Sequence, residues 1–541
     1  MDDWQNLTAE LAAMERAATA TLAAYIGKDG VDACQPAAYD LAFAAAEIAA
    51  FGALAHSDTM ADPVMRDLLA GVFAAQILPG TVMRCDRVTA ACGSDAAPFA
   101  ASPLYGRLLS AAAPDAGARI VAGGTAYREI STSEESDMAR SSFWRFGQDV
   151  VAPLAERIHR EDLTVPETIL APLREMGAFG LSIPERFGGL APDDGEDSAA
   201  MLAITEALSA ASLGAAGSLI TRPEILARAV LAGGTEAQKA HWLPRIAVGD
   251  PLCAISITEP DYGSDVASLA LKARKVAGGW TLSGAKTWCT FAGKAGLLMV
   301  VARTDDTPGH TPRHRGLSLF LVEKPPTDAH EFTVTQPTGG TMTGKAIPTI
   351  GYRGMHSFNM AYDDFFVPDA NLIGGEEGRG RGFYLTMAGM VGGRMQTAAR
   401  ACGLMMAAID AASAYAEDRK VFGVPLAQHG LVQDRIAGMA AKLAACRALA
   451  YRTGALVDRG DDGSSDGAGR MEASLAKLIA CRCAEEVTRD ALQLFGGMGY
   501  AEETSVSRYF VDARVLSIFE GAEETLALKV IARELLARAE A

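Results

Sequence analysis

The runs LALKARKV (269–276) and WTLSGAKT (280–287), joined by AGG (277–279), mark where the hydrophobic period of this chain changes from helix to strand. Leu269, Leu271 and Ala273 alternate with other residues, as do Trp280 and Leu282. Paired glycines between two alternating runs read as a β-hairpin. LLMVVA (297–302), LSLFLV (317–322) and FNMAYDDFFV (358–367) continue the extended character. A compact β unit is therefore expected over residues 251–370, between helical units. Upstream, Leu7–Ile26, Ala37–His56 and Pro63–Ile77 carry apolar residues at helical spacing. Residues 113–141 are rich in small and polar residues, including STSEESD (131–137), and read as a linker that closes a helical module at about residue 140. Helices are expected to continue over 141–250, with one long helical run from Glu206 to Leu231 in which Pro223 marks a kink or a restart. They return over 371–541, where Leu475, Ile479, Cys483, Val487, Ala491 and Leu494 share one face. A polar loop, 460–469, separates two long helices, as in a four-helix bundle. The fold class is multidomain α+β.

Lys and Arg number 49 against 66 Asp and Glu, a net charge of −17, which argues against a nucleic-acid partner. The nine cysteines are scattered without a CxxC, so neither a disulfide framework nor a zinc site is expected, and a reducing cytoplasm fits. MDDWQNLTAE has no basic region leading into an apolar core. The most apolar stretch, Leu41–Ala55, is Ala-rich and interrupted by Glu47. It reads as a buried helix, and no membrane association is expected.

Five short stretches carry possible chemistry. In SIFEGAEE (517–524), Glu520 lies between apolar residues and a glycine. If Ile518 and Phe519 are buried, desolvation favours the neutral acid and tunes Glu520 as a base, and Gly521 leaves room for a substrate. TEPDYGSD (258–265) offers hydroxyls and turn N–H groups. KTWCT (286–290) sets an aromatic face beside a hydroxyl. DRKVFG (418–423) places Arg419 and Phe422 at a helix junction, where a pyrophosphate can be held. QLFGGMGY (493–500) ends a helix in glycines that permit close approach. Each alone also has an ordinary structural explanation: a solvated glutamate, a turn, a core Trp, a helix-end cation, a glycine cap. No GxGxxG follows a strand, so a dinucleotide would not be held in a Rossmann crevice.

In this order and spacing, the five stretches and GYRGMHSFNMAYDDFFVPDANLIG (351–374) resemble the acyl-CoA dehydrogenase family over residues 143–541. The resemblance implies a helical domain, a middle β-barrel-like domain and a C-terminal four-helix bundle, here with an extra helical N-terminal module. It implies FAD as cofactor, an acyl-CoA thioester as substrate, an electron-transfer flavoprotein as acceptor, and a homodimer or homotetramer. Carried over residue by residue, it puts Thr258 and Ser264 on the flavin, Ser264 also on the thioester, and Trp288 and Thr290 against the flavin. Arg419 and Phe422 would reach the FAD of a neighbouring subunit, with Gln493 and Gly497 on its adenine half. Ala522 and Glu524 would touch the chain's own flavin, and Gly521 and Arg394 the substrate. Glu520 falls at the family's catalytic base. The alternative position for that base, immediately before an Arg, is Gly393 here and carries no carboxylate. Two positions depart from the family pattern: Cys289 and Phe291 in the Trp288 loop, and Gly430 where a glutamine is common.

The N-terminal extension of about 140 residues is unusual for the family, and with it the whole chain resembles members that act on a short branched acyl group. A distal carboxylate on that group would need a cation, for which Arg222 is the candidate, against the alternative of a snorkelling surface arginine. A general short- or branched-chain acyl-CoA dehydrogenase, an acyl-CoA oxidase and a non-catalytic flavin-binding assembly protein remain as rival readings.

Overall fold

In the computed structural model, residues 2–27, 30–193, 195, 197–305, 313–459 and 469–540 are described; the loop expected at 460–469 lies outside them except for Gly469. The chain forms two compact units. One comprises Met1–Arg145, Ser198–Ala211 and Arg394–Ala541; the other Phe146–Asp197 and Ser212–Gly393.

The second unit contains the strands β1 (Cys253–Ser256), β2 (Lys272–Val276), β3 (Gly279–Thr290), β4 (Leu297–Arg303), β5 (Leu317–Glu323), β6 (Glu331–Thr335), β7 (Thr341–Ala346) and β8 (Ser357–Pro368). They pair in the order β1-β4-β2-β3-β8-β7-β6, with β5 on the other flank of β4. The β2–β3 hairpin turns at Gly278, whose φ of 75° suits glycine. β4 and β5 are apolar without alternation because both their faces are covered. Leu298, Val300 and Phe320 join Trp280, Leu282 and Tyr362 in one core. Leu297, Met299 and Leu319 pack with the helices Thr221–Gly233 and Glu236–Ala247 in another.

The expected Glu206–Leu231 helix is two helices, Ser198–Ala211 and Thr221–Gly233, separated by a π turn at Leu213–Gly217. The Ser212 side chain accepts from Ala215 N at 3.1 Å and starts that turn. Pro223 falls in the first turn of the second helix, where its missing N–H costs nothing, so of the two roles expected for it, a kink or a restart, it takes the restart.

In the first unit the helices Gly430–Asp458, Arg470–Phe495 and Ser505–Leu516 pack with four N-terminal helices, Asp2–Ile26, Gln35–Ala55, Pro63–Gln76 and Leu78–Ala91. Val31–Ala55, which includes the Gln35–Ala55 helix, is long and apolar enough to be considered for a membrane span, but most of it is buried inside the protein. The expected linker at 113–141 is packed structure instead. Its Ala116–Ala122 helix brings Gly117 so close to Gln433 that a Cβ would lie 3.1 Å from the Gln433 carbonyl carbon. Tyr127 donates to Asp410 at 2.7 Å. Small residues there serve close helix approach, not a free tether. All nine cysteines are free thiols.

Candidate active site

The Ser505–Leu516 helix ends at Ser517, and helix resumes at Glu523. Between them Glu520 (φ 55°) and Gly521 (φ 102°) adopt left-handed backbone. For a glutamate this costs about 1–3 kcal/mol, so surrounding contacts must hold it. Lys477 supplies them by donating to the carbonyl oxygens of Phe519 at 2.9 Å and Gly521 at 2.5 Å, one on each side of Glu520. Gly521 is required by its φ and by Leu526, whose Cδ2 would lie 2.9 Å from an added Cβ.

The Glu520 side chain is only 9% exposed. Its Oε2 accepts from Thr397 Oγ1 and Arg400 Nη2. Arg400 is fully buried, lies 4.7 Å over the Phe519 ring, and also donates to Thr397 at 2.6 Å. Arg394 donates to Ser474 at 3.2 Å. Burial, helped by Arg470 and opposed by Glu520, pushes Arg394 down to about 10, so it stays cationic at neutral pH. Lys477 is also pushed down by burial. One carboxylate thus sits among three buried cations. The Glu520 N–H donates to no acceptor among the described residues, which leaves a backbone donor beside the carboxylate.

The sequence reading expected Ile518 and Phe519 to bury this acid. Phe519 is half-buried with its ring against Arg400, the partner of Glu520, but Ile518 is 55% exposed, because the left-handed turn sends Glu520 inward and Ile518 outward. Thr397, Arg400 and Lys477 were not anticipated. Their signal was present as polar residues inside otherwise small, apolar helical runs, MQTAAR (395–400) and ASLAKLIAC (473–481). Ala522 caps the following helix by accepting from Leu526 N at 3.0 Å, and Glu524 is exposed.

In the strand-bearing unit, TEPDYGSD and KTWCT are locked together. Glu259 accepts from Ala270 N, Leu271 N and Lys286 Nζ at 2.7–2.9 Å. Thr287 N donates to Thr258 O at 2.9 Å. A bulge in β3 opposite β8 falls between Lys286 and Cys289, and there Trp288 takes φ 57° and is 55% exposed. A tryptophan in the left-handed region, turned away from the core, is not the buried tryptophan of the structural alternative. Thr290 is buried with its hydroxyl 2.9 Å from that of Ser357, while Thr258 is partly exposed and Ser264 exposed.

In the helical unit, Tyr415 and Phe495 stack at 4.2 Å and bring the DRKVFG and QLFGGMGY ends side by side. Arg419, Gln493 and Gly497 are exposed, and Phe422 is 94% exposed at φ 52°. Arg222 is not a snorkelling surface residue. It is 7% exposed; among the described residues its Nη1 donates to Ser218 O at 3.1 Å and no carboxylate pairs with it. Asp162, His330 and His356 also cluster, but the Asp162 carboxylate already faces Arg353 Nε at 3.5 Å and His356 Nε2 at 3.1 Å.

Family models for the N-terminal, middle and C-terminal domains of acyl-CoA dehydrogenases match residues 133–250, 254–364 and 380–536. The chain belongs to the acyl-CoA dehydrogenase family, FAD-dependent oxidoreductases that act on CH–CH groups. Among particular proteins, it is 42% identical over 438 residues to (2S)-methylsuccinyl-CoA dehydrogenase of Cereibacter sphaeroides, covering 80% of this chain and 76% of that one. It is 32% identical over 415 residues to the mitochondrial short-chain specific acyl-CoA dehydrogenase of Bos taurus, covering 76% and 92%. A solved glutaryl-CoA dehydrogenase in complex with glutaryl-CoA matches with a TM-score of 0.66 at 28% identity, over 76% of this chain and 97% of that one. The sequence expectations of family, fold and cofactor are met. Residues 1–132 lie outside the matched family domains.

Proposed function

We propose that the protein oxidises (2S)-methylsuccinyl-CoA to mesaconyl-CoA, a step of the ethylmalonyl-CoA pathway, with Glu520 as the base. The observation that carries the base assignment is the buried Glu520 carboxylate, fixed in a left-handed turn and ringed by Arg394, Arg400 and Lys477. Glu520 takes the α-proton of the thioester. The Glu520 N–H, which has no acceptor among the described residues, is a donor for the thioester oxygen, where negative charge grows as that proton leaves. Arg394 adds a fixed positive charge nearby. In the strand-bearing unit, Trp288, Thr290, Thr258 and Ser264 hold the flavin; an outward aromatic plane with flanking hydroxyls fits that ring, and Ser264 also meets the thioester. By the family resemblance, Ala522 and Glu524 would contact the chain's own flavin and Gly521 the substrate. Arg419, Phe422, Gln493 and Gly497 hold the FAD of a second copy, which makes the enzyme an oligomer. FAD, when bound, supplies the acceptor for the hydride that leaves the β-carbon, so proton plus hydride accounts for the new double bond. Electrons then leave to an electron-transfer flavoprotein.

The choice of a dicarboxylic acyl group rests on Arg222 and on the 42% identity. An arginine held inside with no carboxylate partner among the described residues is costly without an anion, and a substrate carboxylate would supply it. Bleaching of the bound flavin under anaerobic conditions with a panel of CoA thioesters tests the substrate. Methylsuccinyl-CoA is expected to bleach fastest. Faster bleaching by butyryl- or isobutyryl-CoA would make the enzyme a general short-chain dehydrogenase, and peroxide release at the rate of turnover would make it an oxidase. Arg222→Met should cut kcat/KM for methylsuccinyl-CoA by about 10- to 100-fold, the loss of a charge-assisted hydrogen bond, while an uncharged branched thioester is affected less.

A further inference from the structure

The N-terminal module reaches the loop that carries Glu520. From the Gln35–Ala55 helix, the Tyr39 hydroxyl donates to Glu523 Oε1. Arg482, on the Arg470–Phe495 helix, donates to the same oxygen at 2.6 Å and to the Tyr39 oxygen at 3.0 Å. Tyr39 packs 5.0 Å from Phe43, and Arg482 lies 4.7 Å over that Phe43 ring. The Glu523 side chain is 13% exposed and sits three residues after Glu520. Burial, reinforced by the Glu523 bond, pushes the Tyr39 phenol up to about 12, so the hydroxyl keeps its proton and remains a donor at neutral pH.

The loop is gripped in two places. On one side Lys477 clamps the carbonyls flanking Glu520. On the other, Glu523 starts the closing helix and is tied to Tyr39 and Arg482, while Glu523 N donates back to Ser517 O at 3.0 Å. With Glu520 in a strained conformation, release of either grip lets the turn relax and moves the carboxylate. We infer that Tyr39, from the segment outside the matched family domains, is a positioning residue for Glu520, acting through Glu523 and Arg482. This rests on Glu520 being the base.

The test is anaerobic single-turnover bleaching of the flavin in the full-length holoenzyme, with ordinary and α-deuterated methylsuccinyl-CoA. Tyr39→Phe keeps the ring against Phe43 and deletes only the donor. It should slow bleaching at saturating substrate about tenfold, since a small misplacement of a reacting group is expensive, and should raise the α-deuterium isotope effect with flavin content and KM little changed. Glu523→Ala should do the same, and the double variant should be no slower than the slower single one, because the two residues act as one contact. Glu523→Gln, which still offers Tyr39 a carbonyl oxygen, should lose less. Wild-type bleaching and isotope effect in Tyr39→Phe, or additive losses in the double variant, would overturn the inference. If Tyr39→Phe behaves as wild type while Glu520→Gln is inactive, only this inference fails. If Glu520→Gln bleaches normally, the assignment of the base fails first.

Discussion

Glu520 is held by two opposed demands. A carboxylate shielded from water needs compensating charge, which Arg400 provides while Thr397 adds a hydrogen bond; a base must also be able to turn to its substrate. The left-handed pair Glu520-Gly521, clamped by backbone carbonyls rather than by side-chain packing alone, meets both. Replacing Arg400 by Met should therefore destabilise the protein by about 3–5 kcal/mol, the usual result of stripping a buried ion of its partner. Denaturant unfolding of the holoenzyme checks this, and an unchanged midpoint would contradict it. Glu520 stands out in the sequence through the order of motifs that resembles the family, since Ile518, Phe519 and Gly521 around it fit a solvated glutamate as well. The cations that ring it do not stand out. They lie 43 to 126 residues earlier in the chain, and only folding brings them together.

At the scale of elements, the hairpin at 269–287 was legible because alternation and paired glycines agree. β6 and β7 escaped the reading because they are short and half exposed. The closing stretch buries Leu526, Ile531 and Leu536, a spacing of five residues rather than the three to four of a regular helix. A π segment at Ala527–Ala532 widens the turn and shifts the buried stripe by one residue. Helix packing in this unit depends on glycine. A Cβ on Gly403 would lie 2.3 Å from the Glu206 carbonyl oxygen, so Gly403→Val should cost about 1–3 kcal/mol and lower the thermal midpoint; an unshifted melt would contradict the packing. In the strand-bearing unit, burial holds the His356 pKa below its ordinary value; His330 adds to this and Asp162 opposes it. The unfolded chain then binds the proton first as pH falls below about 6.5, so stability is lost on the acid side, by at most about 1.4 kcal/mol per pH unit. His356→Gln should flatten part of that slope between pH 7.5 and 5.5 in denaturant unfolding. An identical slope would show that the histidine titrates alike in both states.

At the scale of the whole molecule, the N-terminal segment is part of the helical unit rather than an appendage. Gln35–Ala55 packs on the Gly430–Asp458 and Arg470–Phe495 helices and on the closing helix. Its near-continuous burial explains why a run of alanines there reads as apolar on every side. A chain starting at Thr132 should expose those faces and aggregate; size-exclusion chromatography giving a monodisperse, flavin-loaded truncation would contradict this. The account as a whole depends on the carboxylate at 520 meeting a CoA thioester whose α-proton it removes. The most direct measurement is anaerobic flavin bleaching of Glu520→Gln by methylsuccinyl-CoA. Bleaching should fall by about a hundredfold or more with flavin still bound, and bleaching at the wild-type rate would contradict the assignment.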